Sequence, residues 1–246
     1  MMFMRNTLLS LAALAISAAA QAAGGGDYDH APINLGDTAS LQRGATMFVN
    51  YCMGCHSAQY MRYARLAEDL DLTEDQVQKF LIKGDQDIND YMLSAMRYEQ
   101  ATEWFGKAPP DLSLTARSRS KDWVYTFLRS YYLTEDGWNN TLLENAAMPH
   151  ILWELQGIQR PVLHTVTGEN GESRTEIESL ELDEPGLMTP EEYDAAIVDI
   201  TAFMTYIAEP AALKRMQYGP WVLLFLALFT FLSWLLYAEY WKDVKK

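Results

Sequence analysis

A mainly α-helical domain of about 190 residues, tethered by one C-terminal transmembrane helix, is predicted by three observations. Several segments repeat apolar residues at helical spacing behind recognisable caps. Residues 216–238 carry no charge and are almost wholly apolar. The only two cysteines of the 246-residue chain stand together in Cys52-Met53-Gly54-Cys55-His56, a grouping that calls for chemistry rather than packing.

The chain opens on Arg5, an apolar run from Leu8 to Ala20, and the triplet Ala20-Gln21-Ala22. These are the charged, apolar and cleavage regions of a secretory signal peptide over residues 1–22. The mature chain is expected to begin near Ala23, outside the bacterial cytoplasm; a mitochondrial presequence would be richer in Arg and Ser. Residues 24–36 read as an extended lead-in. A helix is predicted from about Ser40 to Tyr51, where Leu41, Ala45, Phe48, Val49 and Cys52 share a helical spacing. Gly44 falls on the face of Phe48 and Cys52. A mid-helix Gly costs roughly 1 kcal/mol against Ala, so its presence suggests a second helix passing close by.

That helix runs into the cysteine motif. Two thiols separated by two residues, with His directly after, is the c-type haem attachment pattern. Each Cys can form a thioether with one haem vinyl group, and the adjacent His is carried to one face of the ring, where its imidazole can bind iron. Three other readings compete. A thioredoxin-type redox pair wants a βαβ surround, which the pattern lacks. A structural zinc site needs four ligands, and no second Cys/His pair has zinc spacing. A disulfide across two residues has poor geometry and closes a loop too short to stabilise much.

Beyond the motif, Tyr60 to Leu66 reads as helix, and Thr73-Glu-Asp-Gln76 as a capping box ahead of Val77, Phe80 and Leu81, stopped by Gly84. Residues 85–106 are mixed. Ala108-Pro109-Pro110-Asp111-Leu112 is loop, because Pro breaks a helix and restricts the residue before it. Ser118 or Ser120 caps a helix presenting Trp123, Val124, Phe127, Leu128 and Tyr131 on one side. A loop is expected from Leu133 to Asn145. Residues 161–178 alternate around Glu169-Asn170-Gly171, a β-hairpin signal. Thr189-Pro190-Glu191-Glu192 opens the last soluble helix, with Ala196, Ile197, Ile200, Phe203, Met204 and Ile207 as its apolar face and Glu209-Pro210 as its end.

The run 216–238 is long enough to cross a bilayer, is flanked by Tyr218, Trp221, Tyr237, Tyr240 and Trp241, and is followed by Lys242, Lys245 and Lys246. The expected arrangement is a periplasmic domain over 23–213, an anchor over 216–238 in inner-membrane lipid and a cytoplasmic tail over 239–246. Residues 23–213 hold 13 basic and 31 acidic side chains, a net of −18. A domain so acidic is unsuited to nucleic acid. It suits a basic protein partner drawn in by long-range attraction, or a surface kept soluble by its charge.

The far face of the haem decides between electron transfer and catalysis: an open iron admits ligands or peroxide, whereas a Met closes it and raises its potential. Met53 and Met61 lie too near the motif to reach around the ring; Met92 and Met96 suit core filling. Met188 precedes a helix N-cap and Met204 lies on an apolar stripe. Met148 follows a long loop directly before Pro149, as a loop-borne ligand would, and the core-filler reading stands beside it. His150 is the rival ligand, while His30 and His164 read as surface residues. Arg117 and Arg119, after the Pro-Pro loop, suit haem propionates or a basic surface equally.

Four blocks in this order carry a resemblance: Cys52-Met-Gly-Cys55-His56-Ser57; Ala108-Pro-Pro-Asp-Leu-Ser113 with the following Arg-x-Arg; Met148-Pro-His-Ile-Leu-Trp-Glu-Leu-Gln-Gly157; and Thr205-Tyr-Ile-Ala-Glu-Pro210 before a single anchor. On these the chain resembles the cytochrome c1 family. The resemblance implies a class I cytochrome c-like haem domain enlarged by insertions, with the first helix crossing the last soluble one. It implies one covalent haem c held by Cys52 and Cys55, iron between His56 and Met148, Pro110 against the haem near His56, and Arg119 as the arginine nearest a propionate. The implied function is electron transfer in the respiratory bc1 complex, ubiquinol–cytochrome c oxidoreductase. Cytochrome b and the Rieske iron–sulfur protein are its partners there, and a soluble or tethered cytochrome c is the acceptor. A tethered cytochrome subunit of another respiratory complex, a terminal oxidase or dehydrogenase, is the alternative. Residues 85–106 and 133–145 do not match the family's blocks.

Overall fold

The first helix, α1 (Thr38–Met47), starts where the Asp37 carboxylate accepts the Ser40 amide at 3.1 Å, two residues earlier than periodicity predicts. Residues 28–167 and 173–244 are described by this structure, a computed structural model. The signal peptide and the Glu169-Asn170-Gly171 turn lie outside them. Past Met47 the chain does not stop but widens into one π-helical turn, Phe48–Cys52, closed by the Met53 amide on the Phe48 carbonyl at 2.9 Å. Such turns are uncommon and frequently mark functional sites.

The helix predicted at Tyr60 begins later. Ala58–Arg62 is a strand, β1, and only Tyr63–Asp69 is helical, α2. The cause is the use made of the backbone amides: Gln59 donates to Asp111 Oδ2 at 2.8 Å and Tyr60 to Ser113 Oγ at 3.1 Å. With those groups committed elsewhere, a helical ladder cannot start. The Thr73 capping box opens α3 (Glu74–Phe80) with both reciprocal bonds formed. Val77 and Leu81 are buried, but Phe80 is 54% exposed and does not join the apolar face.

Residues 85–106 resolve into a short β2 (Tyr91–Met92) paired antiparallel to β1, and α4 (Tyr98–Phe105), ended by left-handed Gly106. After the Pro-Pro loop come α5 (Thr115–Ser118) and α6 (Lys121–Arg129). Ser120, not Ser118, caps α6, accepting the Trp123 amide at 3.1 Å. The loop expected over 133–145 is half hairpin: β3 (Tyr131–Thr134) pairs with β4 (Gly137–Asn140). Glu135 and Asp136 form the connecting turn, and Gly137 follows it at φ +121°, a backbone conformation that favours glycine.

A single turn, α7 (Trp153–Gln156), leads through Gly157 into the hairpin of β5 (Gly157–Thr167) and β6 (Ser173–Pro185), longer at both ends than the alternation suggests. The hairpin carries Glu176, Glu178, Glu181, Asp183 and Glu184 on β6, so part of the acidic excess is gathered on one arm. Thr189 then caps α8 (Pro190–Ala208), again with a complete capping box.

Helices α1 and α8 form the centre of the core. A Cβ on Gly44 would fall far inside contact distance of the Asp199 carbonyl and 2.8 Å from the Phe203 Cβ, so the absent side chain is what lets the helices meet. Phe48 and Phe203 follow one turn on, ring centroids 5.3 Å apart. Asp199 is a buried charge within this crossing. It is satisfied by Arg43 through two bonds at 2.6 and 2.9 Å and by the Ser40 hydroxyl at 2.6 Å, the pairing a buried carboxylate requires.

The residues between the end of α8 and the apolar run are already helical from Ala212. α9 (Ala212–Trp241) runs unbroken through Pro220, and Arg215 near its start holds Glu209 at 2.7 and 3.0 Å. Thirty residues rise about 45 Å, against roughly 30 Å of bilayer hydrocarbon. The apolar segment of this helix is exposed on every side, so it is long and apolar enough to cross a membrane and has no protein covering it among the described residues.

Candidate haem site

The π-helical turn delivers Cys52 at the end of α1. The chain then folds back on itself, the Cys55 and His56 amides donating to the Cys52 carbonyl at 3.1 and 2.9 Å. Both cysteines are free thiols. Burial pushes the Cys52 thiol up to about 12 and raises Cys55 in the same direction. A redox-exchange pair works through thiolate, which this burial disfavours, and no group of three or more His, Cys, Asp or Glu that could hold a metal ion occurs among the described residues. Ser94 pins the motif from outside, its hydroxyl donating to the Gly54 carbonyl and its amide to Ser57 Oγ, each at 2.9 Å.

His56 is buried, and its Nδ1 lies 2.7 Å from the Pro110 carbonyl oxygen. A carbonyl only accepts, so Nδ1 carries the proton and Nε2 keeps its lone pair, the tautomer a metal requires. Burial lowers the affinity of this imidazole for a second proton, against the opposing pull of the same carbonyl and of Asp111. The Pro110 carbonyl is itself aimed by the loop around it. Leu112 N donates to the Ser57 carbonyl at 2.8 Å, while the Asp111 carboxylate accepts the amides of Gln59 and Ser113 at 2.8 and 2.9 Å. Sequence reasoning noticed the prolines and missed Asp111, although Pro-Asp-Leu-Ser is a local Asx-turn signal.

Met148 is half-buried against the same hydrophobic core as Cys52 and Leu112. Its carbonyl accepts the Tyr131 hydroxyl at 3.2 Å. His150 is fully inside, its ring stacked on Tyr131 at 4.8 Å and 3° and met edge-on by Trp138 at 5.1 Å. Burial brings its pKa down to about 4, and Nε2 has no hydrogen-bond partner among the described residues. Arg119 is exposed and lies over the Trp123 ring at 5.5 Å, with no side-chain hydrogen bond or ion pair among the described residues. Arg117 is exposed as well, as are His30 and His164.

The donor set fits a haem: two unpaired thiols three positions apart on one turn, an imidazole with its outer nitrogen free, and a thioether on a loop packed against the same core. With an apolar helix trailing the domain, this is the architecture of a tethered cytochrome. Residues 29–157 match the cytochrome c1 family, and the chain belongs to that family, whose members carry haem. The cytochrome c1 of Allochromatium vinosum is 46% identical over 98% of this chain and all of its own length. A protein of Nitrosomonas europaea named ammonia monooxygenase gamma subunit is 44% identical over 88% of each chain. The cytochrome c1 of Cereibacter sphaeroides is 24% identical over 99% of this chain and 98% of its own.

Proposed function

We propose that this chain is the electron-transfer subunit of the respiratory bc1 complex, taking single electrons from the Rieske iron–sulfur protein and giving them to a cytochrome c. The observation that carries the reading is the His56 Nδ1 contact with the Pro110 carbonyl. It fixes the tautomer of a buried imidazole directly beside two unpaired thiols. A bound haem supplies a one-electron couple at iron. Cys52 and Cys55 would hold it covalently as a single haem c, and His56, through Nε2, and Met148 are the residues that would bind its iron and keep it from outside ligands. Arg119, with no carboxylate partner among the described residues, is assigned to a propionate. The buried surroundings of His56 limit solvent rearrangement when charge changes.

The domain boundaries follow from the same reading. Residues 1–22 are removed on export, 23–213 form the haem domain in the periplasm, 216–238 cross the inner membrane, and 239–246 stay in the cytoplasm. Cytochrome b and the Rieske protein are the neighbours in the membrane.

Purifying the tagged chain from membranes tests the assignment. Expected is one haem whose pyridine derivative shows both vinyl positions saturated, together with a b-type cytochrome and a Rieske protein. Recovery with a terminal oxidase or a dehydrogenase would move the chain to the alternative role. A net charge of −18 over residues 23–213 sets a second expectation. Reduction of a basic cytochrome c should slow by about tenfold or more between low and physiological ionic strength, as screening removes the attraction. Stopped-flow rates that do not change with salt would show that the acidic surface does no steering.

A further inference from the structure

The loop bearing Met148 is gripped on both sides of Pro149 by one residue. The Tyr131 hydroxyl donates to the Met148 carbonyl at 3.2 Å, and the ring of the same tyrosine stacks on His150 at 4.8 Å. Pro149 has no amide hydrogen, so that residue cannot be tied down through its own N–H. The Met148 carbonyl and the His150 ring are the handles that remain, and Tyr131 takes both.

Tyr131 is in turn immobile. It is 1% exposed, it meets Phe127 edge-on at 5.3 Å, and its carbonyl accepts the Gln159 side-chain amide at 2.9 Å. Strand β3, which carries it, is paired with β4, and Trp138 on β4 meets the His150 ring edge-on. Asn140 anchors β4 to α6 by donating to the Phe127 carbonyl at 2.9 Å.

From this geometry we infer that Tyr131 is a positioning residue for the Met148 thioether, its hydroxyl holding the ligand loop closed so that an outside ligand must first open it. The inference rests on the reading of Met148 as the axial ligand. A ligand that competes with Met148 binds only the open form, so its apparent affinity measures how much the loop is held shut.

The test titrates the oxidised, full-length protein in detergent with imidazole, following loss of the methionine-to-iron charge-transfer band. Tyr131→Phe keeps the ring and its stack on His150 and removes only the hydroxyl. Loss of one such hydrogen bond should let imidazole bind roughly three- to tenfold more tightly. Tyr193→Phe is the control: it removes an equally buried hydroxyl, which donates to the Leu128 carbonyl at 2.8 Å, outside the ligand loop. It should leave imidazole affinity unchanged. Equal affinity in Tyr131→Phe and the parent, or an equal shift in both variants, overturns the positioning role. Met148→Leu separates the two layers: if it retains the charge-transfer band, the ligand assignment fails and the inference falls with it.

Discussion

Met148→Leu is expected to leave the haem attached and to lower its midpoint potential by on the order of 0.1 V or more, within the ~0.8 V that axial ligation spans. A thioether favours ferrous iron, and a leucine side chain offers no donor at all. The substitution conserves volume at a half-buried site, so its structural cost should stay below about 1.5 kcal/mol. Cys52, Cys55 and His56 are untouched, and attachment should therefore survive. Equilibrium redox titration, with the pyridine derivative as the check on attachment, reads both outcomes. A potential equal to that of the parent would take Met148 off the iron. The buried, unpartnered Nε2 of His150 would then be the next donor to examine by substitution.

Much of this site could be read from the residue order because its chemistry is local. A thiol pair with an adjacent His needs only one turn of backbone, and the capping boxes at Thr73 and Thr189 are complete within four residues. Gly44 was legible as a close approach, because a glycine in a helix has to be explained by something packed on it. What escaped depends on partners distant in sequence. Tyr60–Arg62 read as the start of a helix until Asp111 and Ser113, about fifty residues on, take the amides of Gln59 and Tyr60 and hold Ala58–Arg62 as a strand. The β3–β4 hairpin escaped although Asp136-Gly137 signals a turn, because Tyr131-Tyr132 on one strand and Asn139-Asn140 on the other do not alternate apolar with polar. Tyr131 looked like the last apolar residue of a helix. Its role emerges only when β3 places its hydroxyl on a carbonyl seventeen residues away.

Gly44→Ala is expected to destabilise the domain even though alanine favours a helix by roughly 0.5–1 kcal/mol over glycine. The sign is set by what the new methyl meets. Phe203 Cβ lies at 2.8 Å and the Asp199 carbonyl nearer still, and neither is the free end of a flexible side chain. Asp199 is fixed further by Arg43 and Ser40, both on α1 itself, so α1 cannot slide away without stretching those bonds. Overpacking of this kind costs about 1–3 kcal/mol or more, which outweighs the gain in helix propensity. A net loss near 2 kcal/mol lowers the thermal midpoint by about 4–8 °C for a domain of this size. Calorimetry of the haem-loaded protein would show it; a midpoint equal to or above that of the parent would mean the helices are not in contact at Gly44. Gly44→Leu should go further and yield little haem-loaded protein, because α1 continues directly into the turn that presents Cys52. Adding Phe203→Ala to Gly44→Ala should not restore the midpoint, since the Asp199 carbonyl remains in the way and a buried aromatic has been lost as well. Alanine at 203 keeps the Cβ that meets the new methyl, so the pair relieves none of the contact, which only glycine at position 44 avoids.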